Sequence, residues 1–324
     1  MAAEARVVIT GGGGFLGHRL AQALLAADGL VVRGESRRLT ELCLVDRVEP
    51  APELQAEPRV TVVVAELAPT GDPDALAFLD NADVVVHLAA AVSGECERDF
   101  DLGMRSNLAA TMAILERCRA QPSPPMFVFS SSVAVFGPGE VDDTTLPRPQ
   151  TSYGAQKLIC EQLVAEYTRK GFLTGRVARL MTVSVRPGRP NGAASGFLSG
   201  IVREPLAGVP MACPALPDDQ VVIASPARTI EGLIRTVSAT DDEWGSSAPL
   251  NLPSLRVTVG EMVAEVQRRS PETAELITWE VDESVRAIVQ SWPHRFDLTR
   301  SAGLGLQPNA SFADVVDEFI GGLG

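Results

Sequence analysis

The sequence predicts an α/β fold in which a doubly wound parallel sheet carries a smaller, mostly C-terminal lobe. First, a short apolar run at residues 7–9 leads directly into a glycine-rich turn and a helical segment. Second, solid apolar runs alternate with helical segments up to residue 132, in the order βαβαβαβαβ, as is typical of parallel strands covered on both faces. Third, the composition changes after residue 185, where prolines and glycines recur.

The first strand, predicted over residues 6–9, leads through Gly11-Gly12-Gly13-Gly14 into a helix predicted over residues 15–27, with Gly29 as its C-terminal cap. Glycine lets the backbone approach a ligand closely, and a helix N-terminus offers unpaired N–H groups with partial positive charge. A strand, a glycine turn and a helix in this order can hold the pyrophosphate of a dinucleotide. The alternative is a flexible turn, which is disfavoured by the position at the start of a βα unit.

Apolar runs and helical patterns locate the remaining elements of the sheet. Residues 30–38 are polar and basic and predict a surface excursion, residues 72–81 predict a short helix, and residues 93–100 predict a polar loop. His87 lies within an apolar run, so we expect a hydrogen-bonded core residue and assign it no chemistry. The other predicted elements are strands at 41–46, 60–64, 84–88, 126–129 and 175–185, and helices at 104–118 and 151–170.

The chain is predicted to have two parts. Residues 1–185 are expected to form a dinucleotide-binding domain of the Rossmann type, with return segments near 221–250. Residues 186–324 are expected to form mainly a substrate-binding lobe. Residues 221–224 are predicted to return to the main body, and residues 250–257 to belong to the second lobe.

The composition excludes several classes of function. The formal net charge of −13 disfavours binding to nucleic acid or to an anionic membrane surface, because both attract basic proteins. The longest apolar run, residues 84–92, is too short to span a bilayer, and the residues before the first strand do not fit a signal peptide. The cysteines form no C-x-x-C pair, which predicts reduced thiols, no bound metal and a cytoplasmic protein. They are Cys43, Cys96, Cys118, Cys160 and Cys213.

Asp46 ends the second predicted strand. A carboxylate in this position can accept hydrogen bonds from an adenosine ribose and repels a 2′-phosphate, so it favours NAD over NADP. Arg47 beside it weakens that preference, and the alternative role for Asp46 is to cap a turn. Further contacts with the cofactor are expected where later strands end, at Glu66 and Leu67 near the adenine and at Leu88, Ala89 and Ala90, where small residues permit close passage.

Tyr153 and Lys157 lie four residues apart on a predicted helix, so both project from one face. A phenol with a pKa of about 10 is a poor base at neutral pH, but a nearby ammonium favours the phenolate and lowers that pKa. Ser132, at the end of the preceding strand, can hydrogen-bond the same substrate oxygen. This arrangement predicts general-base removal of a proton from a substrate hydroxyl. The pair alone also occurs by chance on ordinary surface helices.

Taken together, the glycine turn, Asp46, the serine motif at 130–137 and the Tyr153-x-x-x-Lys157 pair resemble the extended short-chain dehydrogenase/reductase family. That family includes nucleotide-sugar epimerases and dehydratases, and the resemblance covers essentially the whole chain. It implies an NAD-dependent enzyme that forms a homodimer.

The resemblance also implies roles for individual residues. The catalytic serine of the family stands five residues before the glycine of the serine motif, which is Ser132 here. Lys157 is implied to bind the nicotinamide ribose, and Asn107 to order the active site. The residues expected to bind NAD are Gly11, Gly14, Phe15, Leu16, Gly17, Asp46, Glu66, Leu67, Leu88, Ala89, Ala90, Asn107, Tyr153, Lys157 and Met181.

The segment after the sixth strand lacks the R-x-x-N-V-Y-G-P pattern of the nucleotide-sugar enzymes. Residues 191–206 and 92–95 resemble instead the branch of the family that acts on four-carbon sugar acids. This resemblance implies oxidation of the C2 hydroxyl of D-erythronate to 2-oxo-D-erythronate with NAD. The alternatives are a uronate dehydrogenase that acts at C1, a nucleotide-sugar epimerase that retains NAD, and a catalytically silent protein that senses the cofactor.

A sugar acid needs a cation that pairs with its carboxylate, and arginine can do so in a bidentate manner. Arg186 follows a strand end and is the preferred candidate, while Arg189 is equally compatible with a surface ion pair. The residues expected to bind the substrate are Ser93, Ser132, Tyr153, Thr182, Arg186 and Asn191.

Overall fold

The computed structural model describes residues 3–27, 29–69, 71–72, 74–188 and 193–322. The strands of this part are β1 (Ala3–Thr10), β2 (Leu30–Val32), β3 (Glu35–Asp46), β4 (Val60–Val64), β5 (Val84–His87), β6 (Met126–Ser132), β7 (Glu140–Val141), β8 (Thr174–Leu180), β9 (Thr182–Val183), β10 (Met211–Cys213), β11 (Gln220–Ala224), β12 (Leu250–Asn251), β13 (Leu255–Thr258), β14 (Ile277–Trp279) and β15 (Arg295–Phe296). The α-helices are α1 (Phe15–Ala26), α2 (Pro52–Gln55), α3 (Ser93–Arg98), α4 (Phe100–Gly103), α5 (Ala110–Arg119), α6 (Ser152–Arg169), α7 (Gly196–Leu206), α8 (Pro226–Ser238), α9 (Asp241–Trp244), α10 (Val259–Arg269), α11 (Glu283–Gln290), α12 (Thr299–Gly303) and α13 (Phe312–Gly321).

The main sheet has the order β12-β8-β6-β5-β1-β3-β2, and β4 also pairs with β3. Every strand pair in it is parallel except β2 with β3. The order reverses at β1, which lies between β3 and β5. Ligands of such sheets bind beyond the carboxyl ends of the strands at this reversal. The prediction of a doubly wound parallel α/β fold is confirmed.

Both faces of the main sheet are covered, which explains why its strands read as unbroken apolar runs. Alternate residues of each strand face opposite sides. One side packs against α1 and α8, and its buried residues include Val7, Ile9, Val84, Val86, Leu20, Leu24, Ile230 and Leu233. The other side packs against α5 and α6, and its buried residues include Val8, Val85, Phe127, Phe129, Ile114, Leu115, Cys160 and Val164.

The predicted surface excursion at residues 30–38 is mostly exposed, and it takes the form of a β-hairpin between β2 and β3, which the sequence did not predict. Arg33 and Gly34 both have positive φ angles, 49° and 84°, as a two-residue hairpin turn requires. Their N–H groups donate to the carbonyl oxygens of Val237 and Ser238 at the end of α8. Arginine seldom adopts a positive φ, so Gly34 is the local signal for this turn, and contacts distant in the chain support Arg33 in it.

Three other local predictions also differ from the structure. Residues 93–98 are helical as α3, where the side chain of Glu95 accepts a hydrogen bond from Val92 N at 3.1 Å and completes the first turn. The predicted helix at 72–81 contains only a single 3₁₀ turn at Ala77–Leu79 in its described residues. Helix α1 ends with Ala27 and not Gly29 as its cap.

The second part of the chain is built on a three-stranded sheet in the order β13-β11-β9. The predicted strand at 175–185 therefore divides into β8 in the main sheet and β9 in this second sheet. Residues 221–224 lie in the second sheet and not in the main body, whereas β12 extends the main sheet beside β8. Both strands are short, and their sequences do not encode which sheet edge they join. A separate two-stranded ribbon pairs β7 with β15.

Helices long and apolar enough to cross a membrane are absent from the described residues.

Candidate active site

A cleft of about 340 Å³ lies beyond the carboxyl ends of the main-sheet strands. The glycine turn and Asp46 line one part, and the ends of β5 and β6 with the first turns of α6 line the middle. Arg186 and Trp292 line the part that belongs to the second lobe. The cleft thus spans the reversal of strand order and the second lobe.

The glycine turn is packed so tightly that side chains are excluded. A Cβ atom at Gly17 would lie 2.1 Å from the carbonyl oxygen of Gly11, which has a φ of +77°. Helix α1 then begins at Phe15 with Gly14 as N-cap and without a side-chain cap. The first N–H groups of the helix therefore have no capping side chain and suit the phosphates of a dinucleotide.

Asp46 lies at the carboxyl end of β3, beside the glycine turn. Its Oδ2 accepts a hydrogen bond from Gly13 N at 3.1 Å, and its Oδ1 accepts one from Arg47 N at 2.7 Å. A carboxylate oxygen can accept more than one hydrogen bond, so these contacts fix the carboxylate in the cleft wall and leave capacity for ribose hydroxyls. Glu66 and Leu67 follow β4 and line the same part.

The wall after β5 is formed by Leu88, Ala89 and Ala90. Asn107, by contrast, does not line the cleft. Its Oδ1 accepts a hydrogen bond from Ala91 N at 2.8 Å, and its Nδ2 donates to the oxygen of Ala91 and to Oε1 of Gln156. Asn107 is buried in a π-helical segment, Met104–Ala109, and from there it holds the wall behind the cleft.

Helix α6 brings Tyr153 and Lys157 to the end of β6, where both line the cleft. Thr151 caps the helix, with its Oγ1 accepting a hydrogen bond from Gly154 N. A Cβ atom at Gly154 would lie 2.0 Å from the carbonyl oxygen of Ala134. This close approach sets the start of α6 against the segment that follows Ser132, and the Ser132 side chain lies close enough to the Tyr153 phenol to lower its pKa.

The electrostatics of the pair differ from the sequence-based expectation. Burial raises the pKa of Tyr153 to about 12, against the smaller opposing effects of the Ser132 side chain and the Arg186 charge. Burial lowers the pKa of Lys157 to about 8. The Lys157 Nζ donates to the oxygen of Ser130 at 2.8 Å and lies 5.8 Å from the centre of the Tyr153 ring. The expected lowering of the phenol pKa by this ammonium is therefore wrong for the protein alone, because burial dominates the pKa of Tyr153 and the groups that lower it are Ser132 and Arg186.

Arg186 presents a largely buried guanidinium to the cleft. Its Nε donates to the oxygen of Val183 at 3.1 Å, and its Nη2 donates to Oγ of Ser195 at 3.2 Å. Within the described ranges the guanidinium has no carboxylate partner, and burial lowers its pKa. Arg203 differs, because it pairs with Glu204.

The remaining predicted substrate residues are placed as follows. Thr182 is buried and lines the cleft, as does Ser93, whose Oγ accepts a hydrogen bond from Ala194 N at 3.3 Å. Met181 also lines the cleft. Arg189 and Asn191 lie outside the described residues.

Comparison with known proteins identifies the family. The profile of the NAD dependent epimerase/dehydratase family matches residues 7–217. The chain belongs to this family. Two relatives, from Cupriavidus necator and Haemophilus influenzae, are each named D-erythronate dehydrogenase. The first is 43% identical over 97% of both chains, and the second is 40% identical over 97% of this chain and 98% of the relative.

A solved structure supports the same assignment to the NAD-dependent epimerase/dehydratase family. It is described as the nucleoside-diphosphate-sugar epimerase from Agrobacterium tumefaciens and is 33% identical. It superimposes with a TM-score of 0.87 over 98% of this chain and 94% of its own. The chain is an NAD-dependent oxidoreductase of this family, and the predictions of the family and of NAD as cofactor are confirmed.

Sequence reasoning missed several residues that line the cleft of this family member. Ser195 lies within residues 191–206, which resemble the branch of the family that acts on four-carbon sugar acids, so the sequence carried a signal for it. Trp292 carried none, because it lies in a loop that is distant in sequence from the other residues of the cleft. The unpredicted lining residues are Arg47, Ala65, Ala91, Val92, Ser106, Ser130, Ser131, Val133, Leu180, Val183, Ala193, Ser195 and Trp292.

Proposed function

We propose that this protein oxidises the C2 hydroxyl of D-erythronate to 2-oxo-D-erythronate with NAD. The observation that carries the proposal is the Arg186 guanidinium, which has no carboxylate partner among the described residues and lines the same cleft as Tyr153. The two relatives named D-erythronate dehydrogenase support the same choice of substrate.

A buried cation without a partner is costly, and a bound anion offsets that cost. The C1 carboxylate of a sugar acid is bonded directly to C2. If Arg186 pairs with this carboxylate, the C2 hydroxyl lies within a bond or two of it, in the part of the cleft that Tyr153 and Ser132 line. A substrate whose carboxylate is remote from the reacting carbon would fit this arrangement less well.

In the proposed reaction each polar residue has a separate role. Tyr153 takes the proton of the C2 hydroxyl, Ser132 hydrogen-bonds that oxygen, and Lys157 supports Tyr153 and binds the ribose. Ser93, Thr182 and Asn191 are proposed partners of the other substrate groups. NAD, when bound, accepts the hydride, and the chain supplies the orientation.

The proposal also covers the organisation of the protein. Residues 1–185 act as the NAD-binding domain, and residues 186–324 act mainly as the substrate-binding lobe. A homodimer in the cytoplasm is proposed on the family resemblance. Three exposed apolar side chains support association, namely Phe100 of α4, Met112 of α5 and Ile159 of α6. Analytical ultracentrifugation of the wild type and of the double variant Met112→Glu/Ile159→Glu tests the dimer. The wild type should sediment as a dimer and the variant as a monomer.

The function is tested by following NADH formation with D-erythronate, a set of uronates and a set of UDP-sugars, each with NAD and with NADP. We expect turnover with D-erythronate and NAD. Oxidation of uronates alone would assign the C1 dehydrogenase, and epimerisation of UDP-sugars without net NADH would assign the epimerase. Absence of turnover with every compound would favour the cofactor-sensing alternative.

A further inference from the structure

Ser195 lines the cleft and stands at the N-cap of α7, but its side chain caps none of the described N–H groups of that helix. A serine at this position usually accepts a hydrogen bond from an N–H group of the first helical turn. The Oγ of Ser195 accepts instead from Nη2 of Arg186 at 3.2 Å. The contact that normally stabilises a helix is thus replaced by a contact with the candidate carboxylate-binding residue.

Two further residues of α7 hold the backbone of Arg186. Ser199 Oγ accepts a hydrogen bond from Arg186 N at 3.0 Å, and Arg203 Nη1 donates one to the oxygen of Arg186 at 2.7 Å. Ser195, Ser199 and Arg203 follow one another at intervals of four residues, so they lie along one side of α7. This side of the helix therefore contacts the N–H group, the carbonyl oxygen and the guanidinium of the same residue.

Helix α7 is itself fixed in the core of the second lobe. Its residues Leu198, Ile201 and Val202 are fully buried, in one apolar cluster with Val259 and Met262 of α10. A side chain held from such a helix has already lost most of its rotamer freedom, so less conformational entropy is lost when a ligand binds to it. The guanidinium of Arg186 is in this sense oriented before the substrate arrives.

The contacts of Arg186 leave part of its guanidinium for a ligand. A guanidinium has five N–H donors. Nε donates to the oxygen of Val183 and Nη2 donates to Ser195, so the contacts of the described residues leave N–H groups on both Nη atoms. Both acceptors are neutral, so they orient the cation without neutralising it. A carboxylate can still bind to both Nη atoms in the bidentate manner.

We propose that Ser195 is a positioning residue that determines specificity for an acid, because it fixes the direction in which Arg186 presents its guanidinium to the substrate carboxylate. This inference rests on the proposed function, in which that carboxylate pairs with Arg186. A neutral hydroxyl is essential to the role. A carboxylate at the same position would form an ion pair with Arg186, as Glu204 does with Arg203, and would compete with the substrate.

The first test is Ser195→Ala, which removes the acceptor of Nη2. We expect KM for D-erythronate to rise by about 3- to 10-fold with kcat nearly unchanged, because the guanidinium loses its orientation and the reacting groups at C2 are untouched. In an Arg186→Met background the same substitution should change KM no further, since Ser195 acts through Arg186.

The second test is Ser195→Asp, which offers Arg186 a carboxylate within the protein. KM for D-erythronate should rise by roughly 10- to 100-fold, because the new carboxylate occupies the N–H groups that the substrate needs. The midpoint of urea unfolding should rise at the same time, since the largely buried guanidinium gains a partner of opposite charge. A merely structural role of Ser195 would lower stability and substrate affinity together.

The matched controls are Ser311→Ala and Ser311→Asp. Ser311 is also an N-cap serine, but it caps its own helix, α13, by accepting from Asp314 N at 3.3 Å, and it does not line the cleft. Ser311→Ala should lower the midpoint of urea unfolding, and both variants should keep the KM of the wild type.

An unchanged KM in Ser195→Ala or in Ser195→Asp would overturn the inference, as would additive losses of Ser195→Ala and Arg186→Met. Each of these outcomes leaves the proposed function standing, because the wild type still oxidises D-erythronate. The alanine and aspartate variants are independent, so the test survives the failure of one of them to fold. Failure of the wild type to oxidise D-erythronate, with turnover of another compound, would overturn the proposed function itself.

Discussion

The Nζ of Lys157 donates a hydrogen bond to the carbonyl oxygen of Ser130 at 2.8 Å and lies 4.7 Å from the centre of the Phe129 ring. The ammonium is thus held against the end of β6 by a backbone oxygen and an aromatic face, and its side chain is only 2% exposed. This position keeps the amine within reach of the cleft while removing it from bulk water. Burial is also why the pKa of Lys157 falls to about 8.

The buried lysine should make stability depend on pH in the alkaline range. The folded-state pKa of about 8 lies below the ordinary value of 10.5, so the unfolded state binds more protons between these values. The free energy of unfolding should therefore gain roughly 3 kcal/mol from this group as the pH rises from about 8 to 10.5. Urea unfolding of the cofactor-free protein at several pH values measures this free energy. The Lys157→Met variant should lack the rise. Parallel curves for wild type and variant would contradict the expectation.

The phenol of Tyr153 should be required for turnover but not for folding. Tyr153→Phe should lower kcat by about 10²- to 10⁴-fold, the range for a lost general acid or base, with little change in NAD affinity. Tyr167→Phe is the control, because Tyr167 lies on the same helix and donates to Glu116 away from the cleft. Because burial raises the pKa of Tyr153, the phenolate fraction and the oxidation rate of wild type should rise with pH. Unchanged turnover in Tyr153→Phe would remove the proposed base.

Arg186 should matter more for binding the acid than for the chemical step. Arg186→Met removes the guanidinium and should raise KM for D-erythronate by roughly 10- to 100-fold, as for a lost hydrogen bond to a charged group. The control is Arg228→Met, since Arg228 pairs with Glu231 on the exposed face of α8. Steady-state kinetics with saturating NAD measure both. A normal KM in Arg186→Met would mean that another residue binds the carboxylate.

Asp46 should govern the choice between NAD and NADP. Asp46→Asn keeps an oxygen that can accept from Gly13 N and removes the charge that repels a 2′-phosphate. The ratio of kcat/KM for NADP to that for NAD should rise by roughly tenfold, since an ion–ion repulsion of a few kcal/mol is weakened by solvent. Glu49→Gln, an exposed loss of the same charge outside the cleft, should leave the ratio unchanged. If both variants shift this ratio equally, the change in cofactor preference arises from the net charge of the protein and not from the position of Asp46.

The ion pair between Glu161 and Arg179 should contribute to stability through its burial. Glu161 is fully buried and accepts a hydrogen bond from Ser131 Oγ at 2.5 Å. It also accepts hydrogen bonds from Nε and Nη2 of Arg179 at 2.8 and 2.7 Å. Glu161→Gln leaves a buried guanidinium with a weakened partner and should lower the free energy of unfolding by about 3–5 kcal/mol. Glu166→Gln breaks an exposed pair with Arg169 on the same helix and should cost less than about 1 kcal/mol. Urea unfolding at neutral pH compares the free energies of unfolding of the two variants. Similar losses of stability would show that burial does not set the contribution of the ion pair.

The features that the sequence predicted well are local ones. The glycine turn carries its own requirement for small residues, and the run at 84–87 is buried throughout, as its composition predicted. Tyr153 and Lys157 share a face because four residues span one helical turn. His87 also behaves as predicted, with its ring nitrogens 2.6 Å from Thr10 Oγ1 and 3.0 Å from Thr111 Oγ1.

The features that the sequence did not predict depend on contacts distant in the chain. The sheet that residues 221–224 join is decided by pairing with β9 and β13, and no local pattern encodes that choice. The pKa of Tyr153 depends on how much protein surrounds the phenol, which spacing along a helix does not reveal. Trp292 reaches the cleft only because β15 pairs with β7, some 150 residues earlier in the chain.

The long strand β3 has a consequence for solubility. Its first residues pair with β2 and its last five with β4, so two short strands together cover most of one side of it. The main sheet therefore ends on this side in segments of three and five residues, and not in one long row of unpaired N–H and C=O groups. Short edge strands of this kind offer a neighbouring copy few backbone groups to pair with. They therefore protect a parallel sheet against ordered aggregation.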